Sequence, residues 1–247
     1  PAQPSLASQV SASDKYGFSV VTWTGQSSGS ATIGHGLSSS APKFIFVKGL
    51  TGSVGWTVGH DSLGWTKRLK LNSADAESTS ANYWSDTAPT SSVFTSGANN
   101  VNNTFVAYCW SEVPEFSNFG KFSGTGSSAN KVTTGFKPKF VLIKRIGNGS
   151  DGDTQYGGWG MYQAGETGQQ LMANCVGEEG VRGNCSTGSN KRDIQANVVF
   201  NNDGFTVDSG WYEQNDTGVE YIYAAWAESA PSDPAFESII VDSLVTD

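Results

Sequence analysis

The stretch YIYAAWAE, residues 221–228, is a dense apolar run in a chain otherwise rich in Gly, Ser, Thr and Asn. Aromatic, β-branched and small residues occupy both alternating positions of the run, a pattern typical of a strand buried on both faces. The same pattern occurs earlier as FVAYCWSE, residues 105–112, with its Trp and Glu in register. We predict that these two segments are central strands and place the other elements around them.

The two segments belong to an internal repeat, which we identify by matching short blocks along the chain. The clearest block is PKFIFVK at 42–48, which recurs as PKFVLIK at 138–144. Five shorter blocks recur in the same order: WTG (23–25) with FSG (122–124), GHGL (34–37) with TGF (134–136), GW (55–56) with GW (158–159), LKLN (69–72) with LMAN (171–174), and VFT (93–95) with GFT (204–206). The number of residues that separates matching blocks changes only at the turns. We therefore interpret the pattern as an internal duplication.

Each copy contains about seven short strands separated by turns rich in Gly, Asn and Ser, which is typical of β-sandwiches and jelly-rolls. The sequence therefore predicts an all-β fold of two tandem, closely packed β-sandwich or jelly-roll repeats related by internal duplication. The first repeat covers residues 16–115 and the second covers residues 116–231, with no linker between them.

The two ends of the chain differ in amino-acid composition from the repeats. Residues 1–15 carry few groups to bury, so we predict an N-terminal arm or linker that is ordered only where another surface binds it. Residues 232–247 are predicted to be a C-terminal tail. Its apolar run at 239–241 would add an edge strand either to its own sheet or to a neighbouring subunit.

The charge balance argues against a nucleic-acid partner, and the lengths of the apolar runs argue against membrane insertion. The formal net charge is −8 and the pI is near 4.7, and no basic patch of the kind that binds phosphate backbones is visible. We therefore expect no nucleic-acid partner. No run approaches the roughly 18 consecutive apolar residues that indicate a membrane-spanning helix, so we expect no membrane insertion.

The three cysteines do not form a zinc motif, because no CxxC pair or nearby His accompanies them. Cys109 lies inside a predicted central strand and is interpreted as a small core residue. Cys175 and Cys185 flank a short excursion, and either a disulfide joins them or both stay as thiols. Asp151 and Asp153 lie in the Gly-rich loop GNGSDGDTQ, a weak calcium-like pattern that lacks the downstream Glu of an EF-hand. We predict no metal and no cofactor.

The two repeated glutamates, Glu112 and Glu228, are the one recurring acidic position. Two carboxylates brought together across a pseudo-twofold axis would resemble the acid–base pair of a glycoside hydrolase. The favoured alternative is that each Glu satisfies main-chain donors or pairs with a Lys at its strand end, and the repeated lysines Lys43/Lys139 and Lys48/Lys144 are the candidate partners. We therefore predict no catalytic residues and no enzymatic activity.

The two histidines, His35 and His60, occur only in the first copy. A Ser-His-Asp arrangement would use one of them, but no GxSxG elbow accompanies either residue. The favoured interpretation is structural, with each His in a turn or at a strand end.

Tryptophans divide into those that recur in the repeat and those that do not. The recurring ones are predicted to lie in the core: Trp56, Trp159, Trp110 and Trp226. Trp65, Trp84 and Trp211 have no counterpart and lie in connections, so they are predicted to contact a partner protein or a glycan.

The combination of WTG, ATIGHGL, APKFIFVK, APTSSVFT and FVAYCWSEVPEFSNFG resembles a domain of uncharacterised function in virion proteins of tailed phages, especially marine and cyanobacterial ones. The second copy, with GFKPKFVLIKR, NNDGFTV and YIYAAWAE, is similar to the same domain. The resemblance covers residues 16 to about 231 and implies no particular catalytic residues.

The resemblance implies a structural protein exposed on a virion, either a capsid decoration or head fibre or a component of the tail or its fibres. Its expected partners are other virion proteins and further copies of itself, and its expected location is the surface of the particle. A carbohydrate-binding, lectin-like module for host recognition is the alternative, with a host surface glycan as the partner. A glycan hydrolase built on Glu112 and Glu228 is the third hypothesis.

Overall fold

The computed structural model describes residues 2–97, 102–127, 129–147, 158–165, 171–173, 181–182, 192–193, 198–207 and 214–230. This part of the chain is all-β, apart from one short helix, α1 (Ala81–Trp84), and a 3₁₀ turn at Asp61–Leu63. In the first half the strands are β1 (Ser8–Ser13), β2 (Phe18–Thr24), β3 (Ala31–Gly34), β4 (Phe44–Gly49), β5 (Thr57–His60), β6 (Lys67–Arg68), β7 (Ser78–Thr79), β8 (Val93–Ser96) and β9 (Thr104–Trp110). In the second half they are β10 (Ser117–Ser123), β11 (Asn130–Thr133), β12 (Phe140–Arg145), β13 (Trp159–Gln163), β14 (Leu171–Met172), β15 (Val181–Arg182), β16 (Arg192–Asp193), β17 (Val198–Asn201), β18 (Gly204–Val207) and β19 (Glu220–Trp226). Within the described ranges, no helix is both long and apolar enough to cross a membrane.

Two antiparallel five-stranded sheets form the centre of the fold. The first sheet has the strand order β1-β2-β9-β4-β5, and the second has the order β10-β19-β12-β13-β14. The two segments on which the sequence prediction was centred are β9 and β19, and each lies inside its sheet. The prediction that they are central strands is confirmed.

Each five-stranded sheet is covered on both faces. The outer face of the first sheet packs under the β3–β8 pair, where Ile45, Ala107 and Phe94 share one cluster. The outer face of the second sheet packs under the three-stranded sheet β11-β18-β17, where Tyr223 and Phe205 share another cluster. Since successive side chains of a strand point to opposite faces, this layering explains why β9 and β19 are apolar at both parities.

The inner faces of the two five-stranded sheets pack against each other through a third cluster, which we call the central cluster. It joins Phe44 and Val58 of the first sheet to Phe119, Leu142 and Ile222 of the second sheet. The rings of Phe44 and Phe119 lie 5.7 Å apart. The two halves of the chain therefore share one core, and full burial of each large side chain in it contributes about 1.5–3 kcal/mol.

The NNDG segment, residues 201–204, forms a hairpin turn, because β17 and β18 pair antiparallel with Asn201 opposite Gly204. Gly204 has φ +158, and a Cβ there would lie 2.0 Å from the carbonyl oxygen of Val132. A side chain at this position would collide with the neighbouring strand, so the turn requires glycine.

The N-terminal arm is bound by the chain's own first half. Ser5 N donates to Thr32 O at 2.9 Å, and Leu6 forms a parallel bridge with Ile33, which ties the arm to β3. The arm then continues as β1, which pairs with β2 along its full length. Main-chain hydrogen bonds order the segment even though most of its side chains stay exposed. The tail predicted at 232–247 lies outside the described residues.

Candidate functional site

The structure corrects the prediction for Trp65 and Trp84, because both are buried, with 6% and 2% of their surface exposed. Their rings meet edge to face at 5.3 Å within the core of the first half. The connection that carries them folds over Gly59, where a Cβ would lie only 2.5 Å from Trp65 and 2.7 Å from Trp84. Neither indole can stack on a glycan from this buried position.

The other singled-out residues of the second half lie outside the described part of the chain: Trp211, Cys175, Cys185, Asp151 and Asp153. Among the residues that are described, no group of three or more His, Cys, Asp or Glu side chains is placed to hold a metal ion. Cys109 is a free, fully buried thiol, and its burial raises the pKa to about 12. The prediction that it is a core residue is confirmed.

The two repeated glutamates have structural surroundings. Glu112 Oε1 accepts hydrogen bonds from Phe119 N at 3.2 Å and from Asn118 Nδ2 at 3.3 Å. The side chain of Glu228 is 80% exposed and pairs with Lys139 Nζ at 3.4 Å. These contacts are of the kind that the favoured alternative predicted, a main-chain donor at one site and a lysine at the other.

The two histidines are neutral structural groups. His60 Nδ1 accepts from Ser62 N at 3.1 Å, which leaves Nε2 to donate to Tyr223 O at 3.1 Å. Burial lowers the pKa of His60 to about 4. His35 has the same pattern, with Nδ1 accepting from Leu37 N and Nε2 facing Thr90 O, and burial also lowers its pKa. His60 ends β5 and His35 follows β3, so the structural interpretation is confirmed.

A polar cleft of about 450 Å³ opens where the edges of the two halves meet. Lys67 and Glu77 of the first half form an ion pair on one wall, and Lys121 and Glu220 of the second half form another, at 3.0 Å. A hydrogen bond from Ser123 and the pair with Lys121 hold the pKa of Glu220 below its usual range. Each charge therefore has a partner already, and the cleft offers matched positive and negative groups without an unpaired one among these four.

This cleft was missed by sequence reasoning because its four charged residues come from four separate segments of the chain. They come together because main-chain hydrogen bonds connect the segments that carry them. Glu77 N donates to Ile146 O at 2.8 Å, and Ile146 N donates to Glu220 O at 3.1 Å. No motif spacing signals such a meeting.

A row of three partly exposed aromatic rings leads from the central cluster toward solvent on the inner face of the first sheet. The rings of Trp56 and Tyr108 lie 6.2 Å apart with their planes 25° from parallel. Tyr108 and Trp110 lie 6.4 Å apart with their planes at 26°. We call Trp56, Tyr108 and Trp110 the aromatic row. The prediction that Trp56 lies in the core is wrong, because the residue is partly exposed and, unlike Trp110 and Trp226, does not pack against the central cluster.

The remaining recurring tryptophans agree with the prediction. Trp159 is 1% exposed, and its Nε1 donates to Lys70 O at 2.8 Å, which links the halves again. Trp110 and Trp226 pack against the central cluster with their rings 6.0 Å apart.

Comparison with known proteins places the chain in a family. No curated protein and no solved structure matches it significantly. A family model described as a domain of unknown function, DUF7483, matches residues 2–230. The match runs through both five-stranded sheets and includes the arm that forms β1. The chain therefore belongs to the DUF7483 family of domains of unknown function.

Proposed function

We propose that this chain is a structural protein of a tailed-phage virion, exposed on the particle as a capsid decoration or head fibre or as a component of the tail or its fibres. In this proposal it acts by assembly and surface contact and carries out no catalysis. Its partners are other virion proteins and further copies of itself.

The observation that carries the proposal is the layered architecture with a shared core, taken together with the sequence resemblance to virion domains. Four β layers are joined through three apolar clusters, of which the central cluster connects the two halves, and the arm is tied into them by main-chain bonds. Cross-packing of this kind limits the local opening on which proteolysis depends, which suits a protein displayed on an extracellular particle.

The test is the composition of purified particles. Particles of the phage that encodes the chain are banded on a density gradient and digested for mass spectrometry, and an antibody against the recombinant chain is used for gold labelling. We expect the chain to co-purify with intact particles and the label to lie on their surface. Its absence from intact, infectious particles would overturn the proposal.

The proposal includes an internal duplication, so that the chain is two β-sandwich repeats. What supports it is that strand registers in the halves differ by the spacings read from the sequence. Phe44 pairs with Trp110 in the first sheet, and Phe140 pairs with Trp226 in the second. The equivalent pairs elsewhere are Phe18↔Trp110 with Ser117↔Trp226, Phe44↔His60 with Phe140↔Gln163, and Ala31↔Ser96 with Asn130↔Val207.

A strand exchange tests the duplication. Replacing PKFIFVK at 42–48 by PKFVLIK should leave a folded protein, because alternate residues keep their faces. The control inserts the same segment shifted by one residue, which turns its apolar set to the wrong faces. Equal loss of cooperative unfolding in both chimeras would contradict the proposal.

A second candidate function is recognition of a carbohydrate, and the aromatic row is the observation that favours it. Partly exposed rings with nearly parallel planes can stack on the apolar faces of successive sugar rings. This site replaces Trp65 and Trp84, whose burial removes them from any glycan contact.

Tryptophan fluorescence tests this candidate with soluble glycans from the host surface as the probe. Saturable quenching is expected for the native chain and should be lost in Trp56→Ala and Tyr108→Ala. Tyr16→Ala is the control, since Tyr16 is 48% exposed and lies outside the aromatic row. The absence of saturable quenching with every glycan, or an equal loss in the control, would eliminate the candidate.

A further inference from the structure

The outermost strand of the first sheet, β1, presents an open edge. It pairs with β2 from Ser8, opposite Trp23, to Ser13, opposite Phe18. Within the described part of the chain, residues 8–13 form no main-chain hydrogen bond beyond this ladder. The opposite side of the strand therefore keeps a row of free N–H and C=O groups.

The pairing pattern identifies which residues supply those free groups. Gly17 O accepts from Ser111 N, and Gly25 N donates to Asn103 O, so the odd-numbered residues of β2 bond to β9. The even-numbered residues of β2 then bond to the odd-numbered residues of β1. It follows that Ser8, Val10 and Ala12 direct their N–H and C=O groups away from the sheet.

The other edges of the two five-stranded sheets are protected, as edges in monomeric proteins usually are. On the free side of β10, Phe119 N donates to the carboxylate of Glu112, and Ser123 O accepts from Asn130 Nδ2 at 3.0 Å. Lys121 stands between them with its side chain 55% exposed. Strand addition to β10 would have to displace these groups.

The far edge of each sheet is protected too. Val58 of β5 exchanges two main-chain hydrogen bonds with Leu69, at 2.9 and 3.0 Å. At the far edge of the second sheet, β14 is only two residues long. Short edge strands offer little to a partner.

By contrast, β1 has none of these protections. Its sequence SQVSAS contains no charge and no proline, and it pairs with β2 without a bulge. Val10 is 42% exposed, one of few large apolar side chains so placed in the described residues. An uncharged edge strand without a bulge and with an exposed valine is well suited to pairing with another strand.

We propose that β1 pairs antiparallel with β1 of a second copy about a twofold axis through Val10. In this register Ser8 lies opposite Ala12 of the partner, and Val10 lies opposite its own copy. The outward N–H and C=O groups then form about six main-chain hydrogen bonds, and the two exposed valines make a cross-strand pair. The result is one continuous ten-stranded sheet shared by two subunits.

The edge fits a second copy because an antiparallel strand can pair with its own copy about a twofold axis, whereas the net charge of the chain opposes contact at its acidic faces. Each copy carries a formal net charge of −8, so contacts between most of its faces repel. The uncharged β1 edge is the place where two acidic copies can meet without opposing like charges. A six-residue pair is smaller than the roughly 1,200 Å² of a stable interface, so the dimer should be concentration dependent.

Sedimentation velocity over a range of concentrations tests the inference. We expect the native chain to shift from its 26.1 kDa monomer toward a dimer as concentration rises. Val10→Pro removes an outward N–H while sparing the β2 ladder, and should lower the association constant at least tenfold with an unchanged melting temperature. Val10→Thr keeps the N–H and a β-branched side chain, and is expected to associate within a few-fold of the native chain.

A second experiment with charged variants tests the inference if Val10→Pro does not fold. Val10→Lys and Val10→Glu should each be monomeric alone, because the twofold axis sets like charges face to face, and should form a heterodimer when mixed. A native chain that stays monomeric at the highest concentration, a folded Val10→Pro that dimerises normally, or Lys and Glu variants that each dimerise alone would overturn the inference. Dimerisation is a property of the isolated chain, so this outcome is separate from whether the protein is found in virions.

Discussion

The imidazole of His60 and the main-chain carbonyl of Tyr223 join the two five-stranded sheets, with Nε2 lying 3.1 Å from the carbonyl oxygen. The two residues are 163 positions apart in the chain. Because Nδ1 accepts from Ser62 N, the ring is neutral with its proton on Nε2, and a second proton on Nδ1 would break the bond from Ser62 while Nε2 still donated to Tyr223. The imidazole is fully buried, so a charged ring would lose both this hydrogen bond pattern and its hydration.

Acid should therefore destabilise the protein through His60. Its pKa falls from an ordinary 6.5 to about 4 on folding, so the unfolded chain binds the proton more readily between these values. The stabilisation is complete above pH 6.5 and is lost as the pH falls toward 4, by roughly 3 kcal/mol at about 1.4 kcal/mol per pKa unit. Urea unfolding from pH 7 to 4 measures it, and His60→Gln should show a shallower decline. Parallel curves for the two proteins would contradict this assignment.

Lys144 should give the protein a rising stability at alkaline pH. Burial lowers the pKa of its ammonium from 10.5 to about 7, although Nζ reaches Asp75 O at 3.0 Å. Between these values the unfolded chain binds a proton that the folded chain does not, so the unfolding free energy increases with pH. Between pH 7 and 10, the unfolding free energy of the native chain should rise by more than about 1 kcal/mol relative to that of Lys144→Met. Lys121→Met, at an exposed site, is the control: it keeps Lys144 and should therefore follow the native curve.

Gly59→Ala should be among the most disruptive single-methyl additions in the first half. The added Cβ would meet Trp65 at 2.5 Å and Trp84 at 2.7 Å, and neither ring can move within the packed core. Overpacking of this kind costs about 1–3 kcal/mol. Gly55→Ala is the matched control, because its nearest atom would be 3.6 Å away. Thermal unfolding should separate the two variants, and equal melting temperatures would show that the indoles do not close over Gly59.

The repeated glutamates should respond differently to mutation. Glu112→Ala leaves Phe119 N without its acceptor and should cost about 1–2 kcal/mol, whereas Glu112→Gln keeps an acceptor oxygen and should cost less. Glu228→Ala removes only an exposed ion pair with Lys139, worth about 0–1 kcal/mol. Chemical denaturation of the three variants gives the comparison. A larger loss at Glu228 than at Glu112 would reverse the assigned roles.

Local features of this protein were predictable from its sequence because they depend on alternation and turn chemistry alone. The apolar residues at both parities of YIYAAWAE and FVAYCWSE required strands covered on two faces, and the structure places them in β19 and β9. The core position of Cys109 followed in the same way.

Only the tertiary structure decided which surfaces remain for function. Whether an indole is buried depends on which distant segment lies over it, so Trp65 and Trp84 closed over Gly59 while Trp56 stayed partly exposed beside Tyr108. The cleft likewise assembles charges from separate segments through long-range main-chain bonds. The sequence predicted that the N-terminal arm is ordered only where a surface binds it, and that surface is formed by β2 and β3 of the same chain. Alternation is a property of neighbours in sequence, whereas burial and edge exposure are set by residues that meet only after the sheets have packed.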